Sequence, residues 1–329
     1  MKANNERIFF YDFLRAFAIV AVIICHCDIF FGSLNTPLLA FAHLTYHDIG
    51  RMGVPIFLMI TGALLLNKDY DLSFFLKKRF SRIFYPFIFW VFIIVLGIIV
   101  VNNDYNLAWQ VIIGDFSVTW YFWTLIGIYL SIPIFNSFLK DYGERGLEYF
   151  LIIWFLTIIF KSFNAYPLFS NFNLDVFAGY VGFPILGYYL SHKKFALDDV
   201  QMIVVSTVIL LVSFGVYIYL DYLGHIYLIY QNVPIVLVAS SFYLLFRSVN
   251  QLNSFKHIKD NFIGMVVNSL SSHSYGMYFS HVIVLKLLSM FNPKSNMLVI
   301  VMSLLLIFIS WLLVDIVSRI PFLRKFSGV

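Results

Sequence analysis

Residues 23–30 read IICHCDIF: two cysteines flank a histidine and an aspartate follows, inside an otherwise apolar run. On a helix, Cys25 and Cys27 point about 200° apart. That excludes a disulfide between them, and consecutive positions diverge too far to supply the four convergent ligands zinc takes. No metal is expected, and the two thiols read as small apolar fillers. His26 is a different matter. Asp12 and Arg15 stand three apart upstream, and Arg15 and His26 are eleven apart, which is about three turns and returns to within roughly 20° of one direction. One helix face then carries an acid and a cation near one end and a titratable base about 16 Å further along. Two readings of this face stay open: catalytic machinery, or an ion pair plus a histidine bonded to a carbonyl.

Two further clusters carry chemistry. In DLSFFLKKRFSRIFYPF, residues 71–87, Arg79 and Arg82 sit at i, i+3 beside Lys78. Two guanidiniums so spaced can clamp a phosphate, and the competing reading is a topological anchor. In SSHSYGMYFSHVIVLK, residues 271–286, Tyr278 and His281 are i, i+3 neighbours. TWYFW, residues 119–123, is an interfacial aromatic belt, with Trp120 and Tyr121 as candidates for stacking on a sugar.

The elements that position these residues follow from composition. With 61% apolar and only 12% charged residues, the chain lies outside the globular range. Apolar runs able to cross a roughly 30 Å hydrocarbon core recur along it. Hydropathy predicts spans at 8–31, 52–67, 84–101, 119–139, 147–163, 176–191, 201–220, 230–247, 272–291 and 296–318. The expected fold is all-α: a polytopic membrane protein of about ten transmembrane helices, with no separate soluble domain. The first run carries Asp12 and Arg15 and reads as a retained span, not a signal peptide. Segments 68–83 and 248–271 are expected to lie along the interface.

Lys and Arg set the orientation. Lys2 and Arg7, the cluster Lys68 to Arg82, Lys140, Arg145, Lys193, Lys194, Arg247, Lys256, Lys259, Arg319, Arg324 and Lys325 fall on one side, against Arg51, Lys161 and Lys294 on the other. Both termini are therefore expected to be cytoplasmic, in the plasma (inner) membrane of the cell. Anionic membrane lipid accounts for the net charge of +5, and no nucleic acid partner is needed. Charged groups in hydrocarbon are costly, so Asp12, Arg15, His26 and His281 are functional candidates by position.

The order of motifs YDFLRAFAIVAVIICH, GVPIFLMITGALLL, RFSRIFYPF, WYFWTLIGIYLSIPIF and SYGMYFSHVIVL resembles the acyltransferase 3 family of integral membrane acyltransferases over nearly the whole chain, 1–329. It is similar to the stand-alone branch that O-acetylates surface polysaccharides, such as enterobacterial common antigen. The resemblance implies a ten-helix domain that takes an acyl group from cytoplasmic acyl-CoA, acetyl-CoA in this branch, and delivers it to a glycan or lipid-linked saccharide hydroxyl. It matches Arg15 and His26 to the essential Arg and His of the first span, Arg79 and Arg82 to an Arg-x-x-Arg motif, and Tyr278 and His281 to a Tyr and His near the end. Thr61–Gly62 stands where the family more often has Ser–Gly, and the hydroxyl is kept. A neutral imidazole, unperturbed pKa about 6.5, can take the proton of an attacking hydroxyl. The rival expectations are a polysaccharide exporter and an O-succinyltransferase of the same family.

Overall fold

A computed structural model describes residues 9–115, 117–162, 177, 179–225, 230–252, 255, 257–291 and 294–329. Lys2, Arg7 and Lys256, and residues 8, 163, 176 and 178 of the expected spans, lie outside them. Every regular element among the described residues is helical. The α-helices are α1 (Phe9–Cys25), α2 (Pro37–Arg51), α3 (Gly53–Leu65), α4 (Leu72–Asn102), α5 (Tyr105–Ile113), α6 (Trp120–Ser162), α7 (Gly182–His192), α8 (Asp199–Tyr222), α9 (Val233–Val249), α10 (Phe262–Ser289), α11 (Val299–Arg319) and α12 (Arg324–Ser327).

Among the described residues, six helical stretches are long and apolar enough to cross a membrane: Phe9–Phe30, Pro37–Leu65, Leu72–Asn102, Trp120–Ser162, Asp199–Tyr222 and Val299–Arg319. Val233–Val249 is apolar but shorter. The molecule is an α-helical membrane protein. Several boundaries differ from those read in the sequence. Residues 37–51, expected outside any span, form α2, where the fully buried Asp48 depresses the apparent hydropathy of a packed helix. Residues 72–83 of the segment expected at the interface are continuous with the next span in α4, which begins at Leu72, where the Asp71 carboxylate accepts the Phe74 N–H at 2.8 Å. The expected fourth and fifth spans fall on the two helical segments of α6, which a non-helical Gly143 separates; its φ of 60° is one only glycine adopts readily.

The residues form two compact units. The first comprises Met1–Ala18, Arg51–Leu64 and Phe150–Ser272. Within it, aromatic stacking joins the start of α1 to α9, with Phe13 and Phe246 at 4.5 Å and Phe17 and Phe242 at 4.1 Å between ring centroids. Backbones of α3 and α7 touch at glycines: a Cβ added at Gly62 would lie 1.8 Å from the Pro184 carbonyl oxygen, and one at Gly187 2.1 Å from that of Met59. Small residues permit this approach where no hydrophobic effect drives helices together. Arg247 donates to the Leu190 and Lys193 carbonyls at the end of α7, capping its C-terminus with a cation.

The second unit comprises Ile19–Gly50, Leu65–Tyr149 and His273–Val329. Gly50 of α2 lies where a Cβ would meet Cys25 Cβ at 2.2 Å and the Ala21 oxygen at 2.6 Å, fixing α2 tightly on the end of α1. Phe87 and Phe122 stack at 3.6 Å, joining α4 to α6. The Tyr275 hydroxyl donates to the Ile83 carbonyl at 3.2 Å, joining α10 to α4. The C-terminal turn is fully buried at Ser327, whose carbonyl accepts Trp90 Nε1–H at 3.2 Å and lies against Gly276.

Candidate active site

The α-helical ladder of α1 stops at Cys25 and tightens into a 3-10 turn, His26–Phe30, with Phe31 extended beyond it. This change of geometry occurs at the histidine. His26 Nδ1 lies 2.8 Å from the Val22 carbonyl oxygen. A carbonyl only accepts, so Nδ1 carries the hydrogen and Nε2 of the neutral ring is left with a lone pair. The Val22 carbonyl thus orients the ring. Cys27 Sγ bonds the Ile23 carbonyl at 3.3 Å in full burial, so two of the four polar side chains of CHCD are engaged by backbone.

In the same unit, α10 brings His281 to His26: the rings are 5.0 Å apart between centroids and inclined at 62°. His281 is fully buried, with Nδ1 3.1 Å from the Met277 carbonyl. One turn before it, the Tyr278 hydroxyl donates to the Val118 carbonyl at 2.9 Å. That bond ties α10 to the turn Ser117–Thr119 that leads into α6. The Tyr121 ring lies 5.0 Å from that of Tyr278, and Trp120 lies 5.9 Å from Tyr121. His26, His281, Tyr278, Tyr121 and Trp120 thus form one chain of contacts, in which Tyr121 is buried and Trp120 half-buried.

The cations of α4 are not equivalent. Arg79 is half-buried on the face of Phe75 and Ile83, its guanidinium 5.8 Å from the Phe75 ring centroid, and its Nε is buried with no hydrogen-bond partner. Arg82 and Lys78 are exposed, on the stripe that continues to Tyr85. The two arginines are i, i+3 neighbours of unequal burial, one half-buried and one exposed. On the Arg82 stripe, Lys325 Nζ sits 4.9 Å from the Tyr85 ring centroid, adding a cation that the sequence offered only as a topology signal. Its distance along the chain from Arg82 hid it from any local pattern.

In the other unit, Asp12 is buried, accepts from Ser271 Oγ at 2.6 Å and faces Arg15 at 3.6 Å. Thr61 Oγ1 donates to the Phe57 carbonyl at 2.9 Å, a bond within its own helix. The glycine after it has the packing role described above. A cavity of about 760 Å³ in this unit is lined by Val208, Val212, Val216, Val233, Pro234 and Leu237 among others, and by none of the candidate residues.

The acyltransferase 3 family model, described as an acyltransferase domain, matches residues 8–315. The chain belongs to the acyltransferase 3 family. No curated protein and no solved structure matches it. Membership in the acyltransferase 3 family, with the apolar helices, makes this a membrane acyltransferase. All eleven candidate residues, from Asp12 to His281, lie inside the matched range.

Proposed function

We propose that the chain is an O-acyltransferase that moves an acetyl group from cytoplasmic acetyl-CoA to a hydroxyl of a cell-surface or lipid-linked glycan. The observation that carries this reading is His26: a histidine in the first membrane helix of an acyltransferase, with Nδ1–H engaged by Val22 and Nε2 available as a base. The acceptor hydroxyl gives its proton to Nε2 as its oxygen attacks the thioester carbonyl; the carbon–sulfur bond then breaks and the thiolate takes the proton back. Arg82, Lys78 and Arg79 hold the phosphates of the coenzyme at the cytoplasmic mouth, with guanidinium geometry suited to phosphate. Arg15 and Asp12 act as a supporting pair in the first span. Trp120 offers an aromatic face to the sugar, with Tyr121, Tyr278 and His281 buried behind it along the contacts that lead to His26. Thr61 retains the hydroxyl of the family pattern.

The chain is placed in the plasma membrane with both termini cytoplasmic and about ten passes. The support is the distribution of Lys and Arg, which puts the α4 cations on the side where coenzyme A is found.

The test is acyl transfer by purified protein in proteoliposomes, with acetyl-CoA and succinyl-CoA compared as donors, alongside the acetyl content of surface glycans in cells with and without the gene. Acetate on the glycan that depends on the gene is expected. Glycan flux across the bilayer without acyl turnover would instead identify an exporter.

A further inference from the structure

His26 and His281 hold their imidazoles in the same way. Each Nδ1 lies against the carbonyl four residues earlier, Val22 at 2.8 Å and Met277 at 3.1 Å. Each Nδ1 therefore carries the hydrogen, and each neutral ring has a bare lone pair at Nε2. The two rings are in edge contact. His281 is wholly enclosed, and its Nε2 is buried with no hydrogen-bond partner. Leaving such an acceptor buried and unpaired is unfavourable. A phenylalanine or leucine there would fill space without that cost, so packing alone does not account for an imidazole. Nor can a bulky substrate reach an atom this enclosed. Its neighbour His26 is the group whose charge changes during the proposed reaction, and the other groups with electrostatic reach to His26 are Asp28, on the same 3-10 turn, and His47 of α2.

We propose that His281 is a positioning residue for His26, a neutral imidazole able to accept but not donate at Nε2 that stabilises His26 while it is protonated. This rests on the reading of His26 as the general base. In the step concerned, the acceptor O–H bond breaks and its proton goes to His26 Nε2. The oxygen bonds to the thioester carbon, the carbon–sulfur bond breaks, and the proton passes from Nε2 to the departing sulfur; no further reactant is needed. For that interval a positive charge sits on His26 in a surrounding of low dielectric, where an adjacent lone pair has a larger effect than in water. A donor at the same place would oppose the charge.

The experiment measures acyl transfer by the full chain in proteoliposomes. His281→Phe keeps the ring and removes the nitrogen; kcat should fall at least tenfold while KM for acyl-CoA and for acceptor stays within about twofold. His281→Gln places an amide oxygen near the Nε2 position and should bring kcat back to within about threefold of the parent. In a His26→Ala background, where no imidazolium forms, His281→Phe should change the residual rate by less than about twofold. The proposal is overturned if His281→Phe keeps its kcat, if His281→Gln is as slow as His281→Phe, or if His281→Phe slows the His26→Ala protein by another tenfold. Should His281→Phe fail to fold, His281→Leu takes its place in each comparison. A His26→Ala protein at full rate removes the general-base reading itself, an outcome distinct from all of these.

Discussion

Gly62 of α3 lies against Pro184 of α7 so closely that a methyl group on it would stand 1.8 Å from the Pro184 carbonyl oxygen. No side-chain rotation relieves that contact, because both partners are backbone. Gly62→Ala should therefore force α3 and α7 apart and lower stability by about 1–3 kcal/mol, the range typical of overpacking. The readout is the thermal unfolding midpoint in detergent; an unshifted midpoint would show that the helices are free to separate at that point. Thr61→Ser, which keeps the bond to Phe57, should leave the midpoint nearly unchanged.

His26→Ala should cut acyl transfer to a small residual rate while leaving the fold and coenzyme A binding intact. General-base assistance contributes typically 10²–10⁴-fold, roughly 3–5 kcal/mol of barrier. The loss should appear in kcat and not in donor affinity. Calorimetric titration of the variant with coenzyme A, run beside the transfer assay, separates the two quantities.

Arg82→Lys keeps the charge but loses the planar fork, and should weaken coenzyme A binding about three- to tenfold. Lys325→Ala should weaken it less, in proportion to added salt, since an exposed ammonium acts as a screened point charge. Arg79→Lys should also weaken binding. Its half-buried side chain should make that loss less sensitive to ionic strength than the loss at Lys325. Equal affinity in all three variants would return these residues to the role of membrane anchors.

Tyr278→Phe leaves the Val118 carbonyl without its donor in a buried setting. A cost of about 1–3 kcal/mol in stability is expected. Hydrogen exchange should report it first at the turn Ser117–Thr119, which loses its tie to α10, and uniform exchange across α6 would contradict that assignment.

Much of this site is local and therefore legible in the sequence. Asp12, Arg15 and His26 lie on one continuous apolar run, and charge in such a run is conspicuous because hydrocarbon makes it costly. The continuity of 72–83 with the span expected at 84–101 was not evident: one helix, α4, runs through both, its start fixed by the Asp71 cap. The 3-10 turn at His26 was not legible, because nothing in ICHCD breaks a helix by propensity. The helix Pro37–Arg51 was hidden by His43, His47 and Asp48, which a hydropathy window counts as solvent-loving although Asp48 is enclosed. The unequal burial of Arg79 and Arg82 depends on what covers α4, and spacing alone assigns no cover. The contact of His26 with His281 joins residues far apart in the chain, and only tertiary packing brings them together.

Cys27 is sealed inside the protein with its sulfur held by the Ile23 carbonyl, and Cys25 fits closely against Gly50. Serine matches both side chains in size and, at position 27, repeats the bond to the carbonyl, so Cys25→Ser with Cys27→Ser should retain transfer activity. Because these are the chain's two cysteines, that double variant is a blank background for labelling. A single thiol introduced beside Lys78, Lys140 or Lys294 then reports its own side of the bilayer through a maleimide that cannot cross it. The orientation drawn from arginine and lysine alone becomes something read by mass spectrometry, one residue at a time.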